Sequence, residues 1–405
     1  MSEHIALVGA LDTKSEDLAF VKEYIESREI ETVVIDIGVL GEPGFTPDIR
    51  NDKVSSAGGK SIEELRDNED KTESMEVMYR GLTEIVPDLY EQGRLQGIFS
   101  MGGSNATEIA TAAMRELPLG VPKVMVSTMA GGDVSEYVDI HDVVMFPSVA
   151  DVAGVNKITR PIYTNAAGAI CGMVQAEAPT SEKDDRPIIA ASMFGNTTQS
   201  VQQCKEILAG KDYETTAFHA VGTGGRTIDK LGAEGYFAGI LDITTTEIAD
   251  EVCGGVFSAG SDRLVSALRK GVPTMVAPGC VDMANFGSRE TVPEKYQDRK
   301  LYEWNPQVTL MRTNREENMK IGKMLASNIN QAGGPVSVLL PLQGVSMLDS
   351  KGKDFWAPEI DRACFEALRE NLDEDVPVYE VDCNINQRKF SQRATELILD
   401  MLRSS

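Results

Sequence analysis

The sequence predicts an α/β fold: two Rossmann-like lobes, each with a parallel sheet flanked by helices, and a ligand cleft between them. At 405 residues the chain exceeds what one hydrophobic core usually supports, so two domains are expected. A pattern written twice points the same way. Residues 97–128 (GIFSMGGSNATEIATAAMRELPLGVPKVMVST) and 255–278 (GVFSAGSDRLVSALRKGVPTMVAP) each read as an apolar run, a Gly/Ser turn, an amphipathic helix and a GVP before a second apolar run. The lobe openings echo each other too, since 4–25 and 187–208 both pass from a strand into a polar turn at a helix start. Such units wind parallel sheets and set strand ends beside helix N-termini, where open sheets bind ligands. The polar, proline-containing stretch 178–186 (APTSEKDDR) is the natural linker. It divides the chain into an N-terminal lobe, 1–183, and a C-terminal lobe, 184–405.

Composition narrows the function classes. A formal charge of −24 disfavours nucleic acid and anionic membranes, which need clustered Lys and Arg. No run of about 18 apolar residues is present, and the opening MSEHIALVGALDTK enters a strand without a signal-peptide layout. Six scattered cysteines with no C-x-x-C pair fit reduced thiols in a cytoplasmic protein, and three dispersed histidines make no metal centre. An anionic ligand must therefore be held by a local site built largely from backbone.

Along the chain, 5–8 and 32–38 read as strands and 40–52 as an irregular loop. Gly58-Gly59-Lys60-Ser61 resembles the end of a Walker A loop, but the first glycine would fall at Val54. Ser61 with Glu64 instead forms a capping box that starts a helix. Residues 63–76 continue as a solvated acidic helix, and 74–93 have helical periodicity. The stretch 143–168 reads as short helices and a lobe crossover. Residues 287–305 read as a charged, aromatic loop suited to a lid or an oligomer contact. Helices are expected at 313–331, 359–372 and 387–402, and strands at 336–341 and 376–381.

Two strand-end turns carry the candidate chemistry. Gly102, Gly103, Ser104, Asn105 and Thr107 follow a strand and open a helix, so their N–H groups and the helix dipole favour phosphate or carboxylate. Asp12, Thr13 and Lys14 share that edge if the first strand neighbours the strand at 97. There Lys14 can meet phosphate and Asp12 can hold Mg²⁺ through water. Gly131 and Gly132 form a further strand-end loop. In the second lobe, Gly222, Gly224, Gly225 and Arg226 make a turn that departs from the dinucleotide fingerprint at Thr227, which argues against NAD(P). Arg226 can clamp an anion bidentately, His219 precedes the turn, and Asp242, Thr244 and Thr245 form a polar run. A structural histidine and a helix cap are the plain alternatives for His219 and the threonines. No G-x-S-x-G signature occurs, Cys280 and Asp282 are no more than suggestive, and no catalytic residue is assigned.

Seven segments together resemble one family, the Tm-one-like ATP-binding proteins, whose members include the N-terminal half of a plant inhibitor of tobamovirus RNA replication. They are ALDTKSEDL at 10–18, MGGSNAT at 101–107, HAVGTGGRTIDKL at 219–231, LDITTTEIADEV at 241–252, APGCVDMANFG at 277–287, LYEWNPQVTLMRTN at 301–314 and LLPLQGVSMLD at 339–349. They run in order over essentially the whole chain. The resemblance implies two Rossmann-like subdomains, a homodimer, and ATP with Mg²⁺ as cofactor. The expected function is binding of a nucleotide or similar phosphorylated ligand between the lobes. The alternative is an enzyme acting on a small carboxylate or sugar acid through Arg226, His219 and Asp242, with a separately encoded barrel partner.

Overall fold

The computed structural model describes residues 4–68, 70–177 and 186–404. The chain divides into two compact units, Met1–Pro179 and Thr180–Ser405. Of the predicted linker, 178–185 lie outside the described residues.

The first unit alternates strands and helices: β1 (His4–Gly9), α1 (Ser15–Glu26), β2 (Glu31–Asp36), α2 (Asn51–Ala57), α3 (Ile62–Asn68), α4 (Lys71–Glu91), β3 (Gly97–Gly102), α5 (Ser104–Arg115), β4 (Lys123–Ser127), α6 (Ser135–Val138), β5 (Val144–Pro147) and α7 (Thr159–Val174). Its sheet has the order β2-β1-β3-β4-β5 with every pairing parallel. The central strands are apolar along their length because both faces are covered, as parallel sheets require. Ala6 and Val8 of β1 pack toward α4 and α5, while Ile5 and Leu7 pack toward α1 and α7.

Three helices fill the long connection from β2 to β3. The expected capping box starts α3: the Ser61 amide donates to Glu64 at 2.8 Å and the Glu64 amide to Ser61 Oγ at 3.2 Å. The acidic stretch 63–76 is not one helix, because a break separates α3 from α4, which Asp70 caps by accepting from the Thr72 and Glu73 amides. Helices α2 and α4 touch backbone to backbone. A Cβ at Gly81 would collide with the Val54 carbonyl, and one at Gly58 with that of Val77.

The second unit repeats the winding with more strands: β6 (Ile188–Met193), α8 (Thr198–Ala209), β7 (Glu214–His219), α9 (Thr223–Ala233), β8 (Gly239–Thr244), α10 (Thr246–Cys253), α11 (Val265–Arg269), β9 (Thr274–Gly279), β10 (Met283–Phe286), β11 (Leu301–Asn305), β12 (Val308–Arg312), α12 (Arg315–Ile329), β13 (Val336–Pro341), α13 (Pro358–Asn371), β14 (Val378–Val381) and α14 (Arg388–Ser404). Its main sheet runs β7-β6-β8-β9-β13-β14, all parallel, beside an antiparallel sheet β10-β12-β11. In both units the first strand lies between the second and third strands of its sheet.

Three sequence expectations need correction. Residues 255–258 are not a strand. They form the loop leaving α10, where the Gly255 amide bonds the Asp250 carbonyl at 2.8 Å and the Phe257 amide bonds the Asp250 carboxylate at 2.8 Å. The counterpart of β3 is β8 instead. Residues 143–168 hold an edge strand, β5, and the start of α7. Part of 287–305 is strand β11, and its aromatics find partners within the unit. Tyr296 is buried against Phe286, with its hydroxyl 3.0 Å from the Cys253 carbonyl. The Trp304 ring lies 3.2 Å from where a Cβ on Gly195 would stand.

Because α4 supplies a wall of the cavity described next, its contact with α2 is testable. Gly81→Ala forces the two backbones apart, and overpacking of this kind costs roughly 1–3 kcal/mol. A urea midpoint equal to wild type would refute the contact.

Candidate functional site

In the first sheet β1 lies between β2 and β3, so the chain leaves their C-terminal ends toward opposite faces and a crevice opens there. A cavity of about 760 Å³ occupies it. The β1–α1 turn contributes Asp12, Thr13 and Lys14, and the β3–α5 turn contributes Gly103, Ser104 and Asn105. The sequence expected these turns to adjoin, and the β1–β3 pairing (Val8 opposite Ser100) brings them together.

The amide end of α5 is open: Gly103 is its N-cap and no side chain caps it. Ser104 and Asn105 are exposed, whereas Thr107 is fully buried. Its hydroxyl bonds the Gly103 carbonyl at 2.8 Å and Ser127 Oγ at 2.6 Å, so Thr107 fastens the turn to β4. The remaining walls were not legible in the sequence. Arg66 and Lys71 come from α3 and α4, with Leu65, Met75, Met78 and Ile109 forming an apolar side.

The charged groups divide between holding the cavity and facing it. Asp12 Oδ2 accepts from the amides of Leu40 at 2.8 Å and Gly41 at 3.2 Å. Arg66 binds the same loop, donating to the carbonyls of Val39 at 2.8 Å and Gly41 at 2.9 Å. Asp36 closes it from beneath by accepting from Leu11 and Gly38 amides, and burial raises its carboxyl above the usual range. Lys14 Nζ donates to the Val152 carbonyl, leaving two of its three donors for a ligand. Gly131 and Gly132 lie in an exposed turn after β4 and do not line this cavity.

The glycine turn of the second unit, between β7 and α9, is filled from inside. Buried Glu247 accepts from the amides of Gly222 at 2.7 Å and Gly225 at 3.0 Å, the donors that would otherwise meet an anion at α9. Gly222 has φ +86°, and a Cβ on Gly225 would strike Glu247 and Arg263, so glycine here makes room for an internal carboxylate. The buried Arg263 guanidinium ties the group together, 2.7 Å from Glu247, 2.8 Å from Asp242 and 3.3 Å from Asp229. Asp242 also accepts from Ser192 Oγ at 2.7 Å.

Thr244 and Thr245 are equally enclosed. Thr244 Oγ1 is 2.7 Å from Thr197 Oγ1, and Thr245 Oγ1 donates to the Ala277 carbonyl at 3.1 Å. The predicted polar run is thus turned into the interior. Gly224 packs its Cα against the His219 carbonyl, and the His219 ring stacks on Phe194 at 5.5 Å. Arg226 lines a separate, open cavity of about 390 Å³ beside Asp229 and Asp262. All six cysteines are buried and unpaired. Among the described residues no helix is long and apolar enough to cross a membrane.

Arg263→Met strands three carboxyls in the interior, a change that typically costs about 3–5 kcal/mol. An unfolding free energy within about 1 kcal/mol of wild type, roughly the scale of a neutral substitution, would show the cluster to be dispensable. The cluster also makes stability depend on pH. Burial pushes Asp229 up to about 7, with Asp242 and Glu247 adding to the effect of burial and Arg263 opposing it. Burial and Asp349 push Asp282 up to about 7 as well. A carboxyl raised in the folded state contributes stability that is complete below its ordinary value and lost as pH climbs through its folded value. Tm should therefore fall from pH 5 to pH 8, and Asp229→Asn should flatten that fall; a Tm rising over this window contradicts the assignment.

Comparison with known proteins follows the division into units. Residues 3–179 match the N-terminal domain, and residues 186–402 the C-terminal domain, of the uncharacterised protein family UPF0261. A UPF0261 protein of Clostridium tetani is 45% identical over 403 residues, covering 99% of this chain and 100% of that protein. The ToMV resistance protein Tm-1(GCR237) of Solanum lycopersicum is 33% identical over 423 residues, covering 99% of this chain and 56% of the plant protein. Among solved structures, a UDP-N-acetylglucosamine 2-epimerase from Rickettsia bellii aligns over 100% of this chain and 98% of its own at 10% identity and a TM-score of 0.24, too distant to carry an argument. Matched in both of its domains, the chain belongs to the uncharacterised protein family UPF0261.

Proposed function

We propose that the first unit binds a phosphorylated small molecule of the nucleotide class, with ATP–Mg²⁺ the first candidate, in the cavity beside β1 and β3. The observation that carries this reading is one cavity that joins an uncapped helix N-terminus, two lysines and an apolar wall. The Gly103–Asn105 amides and the α5 dipole suit phosphate oxygens. Lys14 and Lys71 supply local positive charge in a chain of net charge −24. Leu65, Met75, Met78 and Ile109 suit the flat apolar face of a base. A volume of about 760 Å³ is ample for such a ligand.

The donor set fits a magnesium ion that arrives with the phosphates. Mg²⁺ keeps several waters and needs only one or two protein carboxylates. Asp12 is the one carboxylate lining the cavity among the described residues, and its Oδ2 already serves the Leu40 and Gly41 amides. When bound, the ion would neutralise phosphate charge. Asp12 would orient it through water while continuing to hold the β2 loop. The proposal is of binding, with no reaction step.

Isothermal titration of ATP–Mg²⁺ and of simple phosphosugars tests it. Losing a charge-assisted contact costs about 1.5–3 kcal/mol, so Lys14→Ala should weaken binding roughly 10- to 150-fold. A Cβ at Gly103 meets only Thr128 Oγ1, at 3.9 Å, so Gly103→Val should fold yet block approach to the amides and abolish binding. Wild type binding neither class, or Gly103→Val binding as well as wild type, would overturn the site.

A further inference from the structure

A third cavity, of about 460 Å³, lies at the β14 edge of the second sheet, between β13, β14 and α14. Its floor includes Ser337. Along β13, Val336, Val338 and Leu340 face the core formed with α12 and α13, while Leu339 faces α14. Alternation along the strand therefore turns Ser337 toward α14, the side on which the cavity opens. Ser337 is 2% exposed, and its hydroxyl has no hydrogen-bond partner among the described residues. A buried hydroxyl left unmade is costly and uncommon in native folds, and it asks for a ligand that can bond it.

The rest of the lining says which ligand. Asp373 and Asp375 stand beside the cavity, as does Asp400, whose carboxylate already accepts from Arg403 at 3.2 Å, and Val376 and Leu397 form an apolar strip. The Tyr379 ring already carries the Arg393 guanidinium 4.7 Å above its centroid, so the cleft accepts a cation supplied by its own chain. We infer that this cavity is a binding site for a small aliphatic diamine or polyamine. Its ammonium groups meet Asp373 and Asp375, its methylenes lie along Val376 and Leu397, and one N–H donates to Ser337 Oγ. The inference uses no residue of the first unit and is independent of the nucleotide reading.

The test is titration of the full chain with spermidine at fixed ionic strength. Because a chain of charge −24 attracts any polyamine weakly, the variants decide the outcome. Wild type should show one saturable site. Asp373→Asn with Asp375→Asn, both at exposed positions, should weaken it about tenfold or more. Ser337→Ala should weaken it several-fold while leaving Tm equal or higher, since it deletes an unbonded buried group. An exposed control in the first unit, Glu63→Gln, should change nothing. Absence of saturable heat, wild-type affinity in the site variants, or an equal loss in Glu63→Gln would each overturn the inference.

Discussion

Arg263 is the group on which the second unit depends. Its guanidinium is fully enclosed and meets three carboxyls drawn from different elements: Asp229 of α9, Asp242 of β8 and Glu247 of α10. Burying a cation is tolerable only when its donors are matched, and burying three acids is tolerable only around that cation. Each group is thus the condition for the others. Asp229 also accepts from the Leu264 amide at 2.8 Å, holding Leu264 at φ +84° as α11 begins. The cluster therefore fixes where β8, α9, α10 and α11 stand relative to one another.

The same cluster separates the roles of two sheets wound alike. Both units turn glycine-rich chain into a helix beside their first strand, and an open helix start there is an anion site in waiting. In the second unit that place is held by Glu247, an anion of the chain's own that satisfies the Gly222 and Gly225 amides. In the first unit no side chain caps α5, and the Gly103 turn opens onto a cavity. Similar winding thus supports unequal chemistry, because Glu247 of a neighbouring helix takes up the donors at the start of α9 while those at α5 stay open.

The first site is held by contacts between segments far apart in the chain. Asp12 and Arg66 bond backbone groups of the β2–α2 loop and Asp36 joins that loop to the β1–α1 turn through the Gly38 and Leu11 amides, each bond satisfying a polar group that would otherwise be left open at the sheet edge. The wall beyond exists because α2 and α4 approach at glycine backbones, which brings Met75 and Met78 over the crevice. The residues that shape the cavity are thereby distinct from Lys14, Lys71 and the Gly103 turn, which are left to meet a ligand.

The sequence by itself determined the two parallel sheets, the Ser61 capping box, and the neighbourhood of Asp12–Lys14 with the Gly103 turn. These follow from local signals: apolar strands, turn glycines, cap residues and a repeated strand–helix order. It misread 255–258, because GVFS has a strand's composition while its amides are claimed by Asp250 and, through Val256, by the Asn285 carbonyl. Asp242, Thr244 and Thr245 looked like ligand groups because hydroxyls and a carboxylate at a strand end read alike whether they face solvent or the core. Only the tertiary structure placed Arg263 among them, 21 residues beyond Asp242, and turned that run inward. Likewise, only packing brought Arg66, Lys71 and the methionines of α4 to the first sheet's edge. Charge and periodicity describe one segment at a time, whereas a cavity is made where several segments meet.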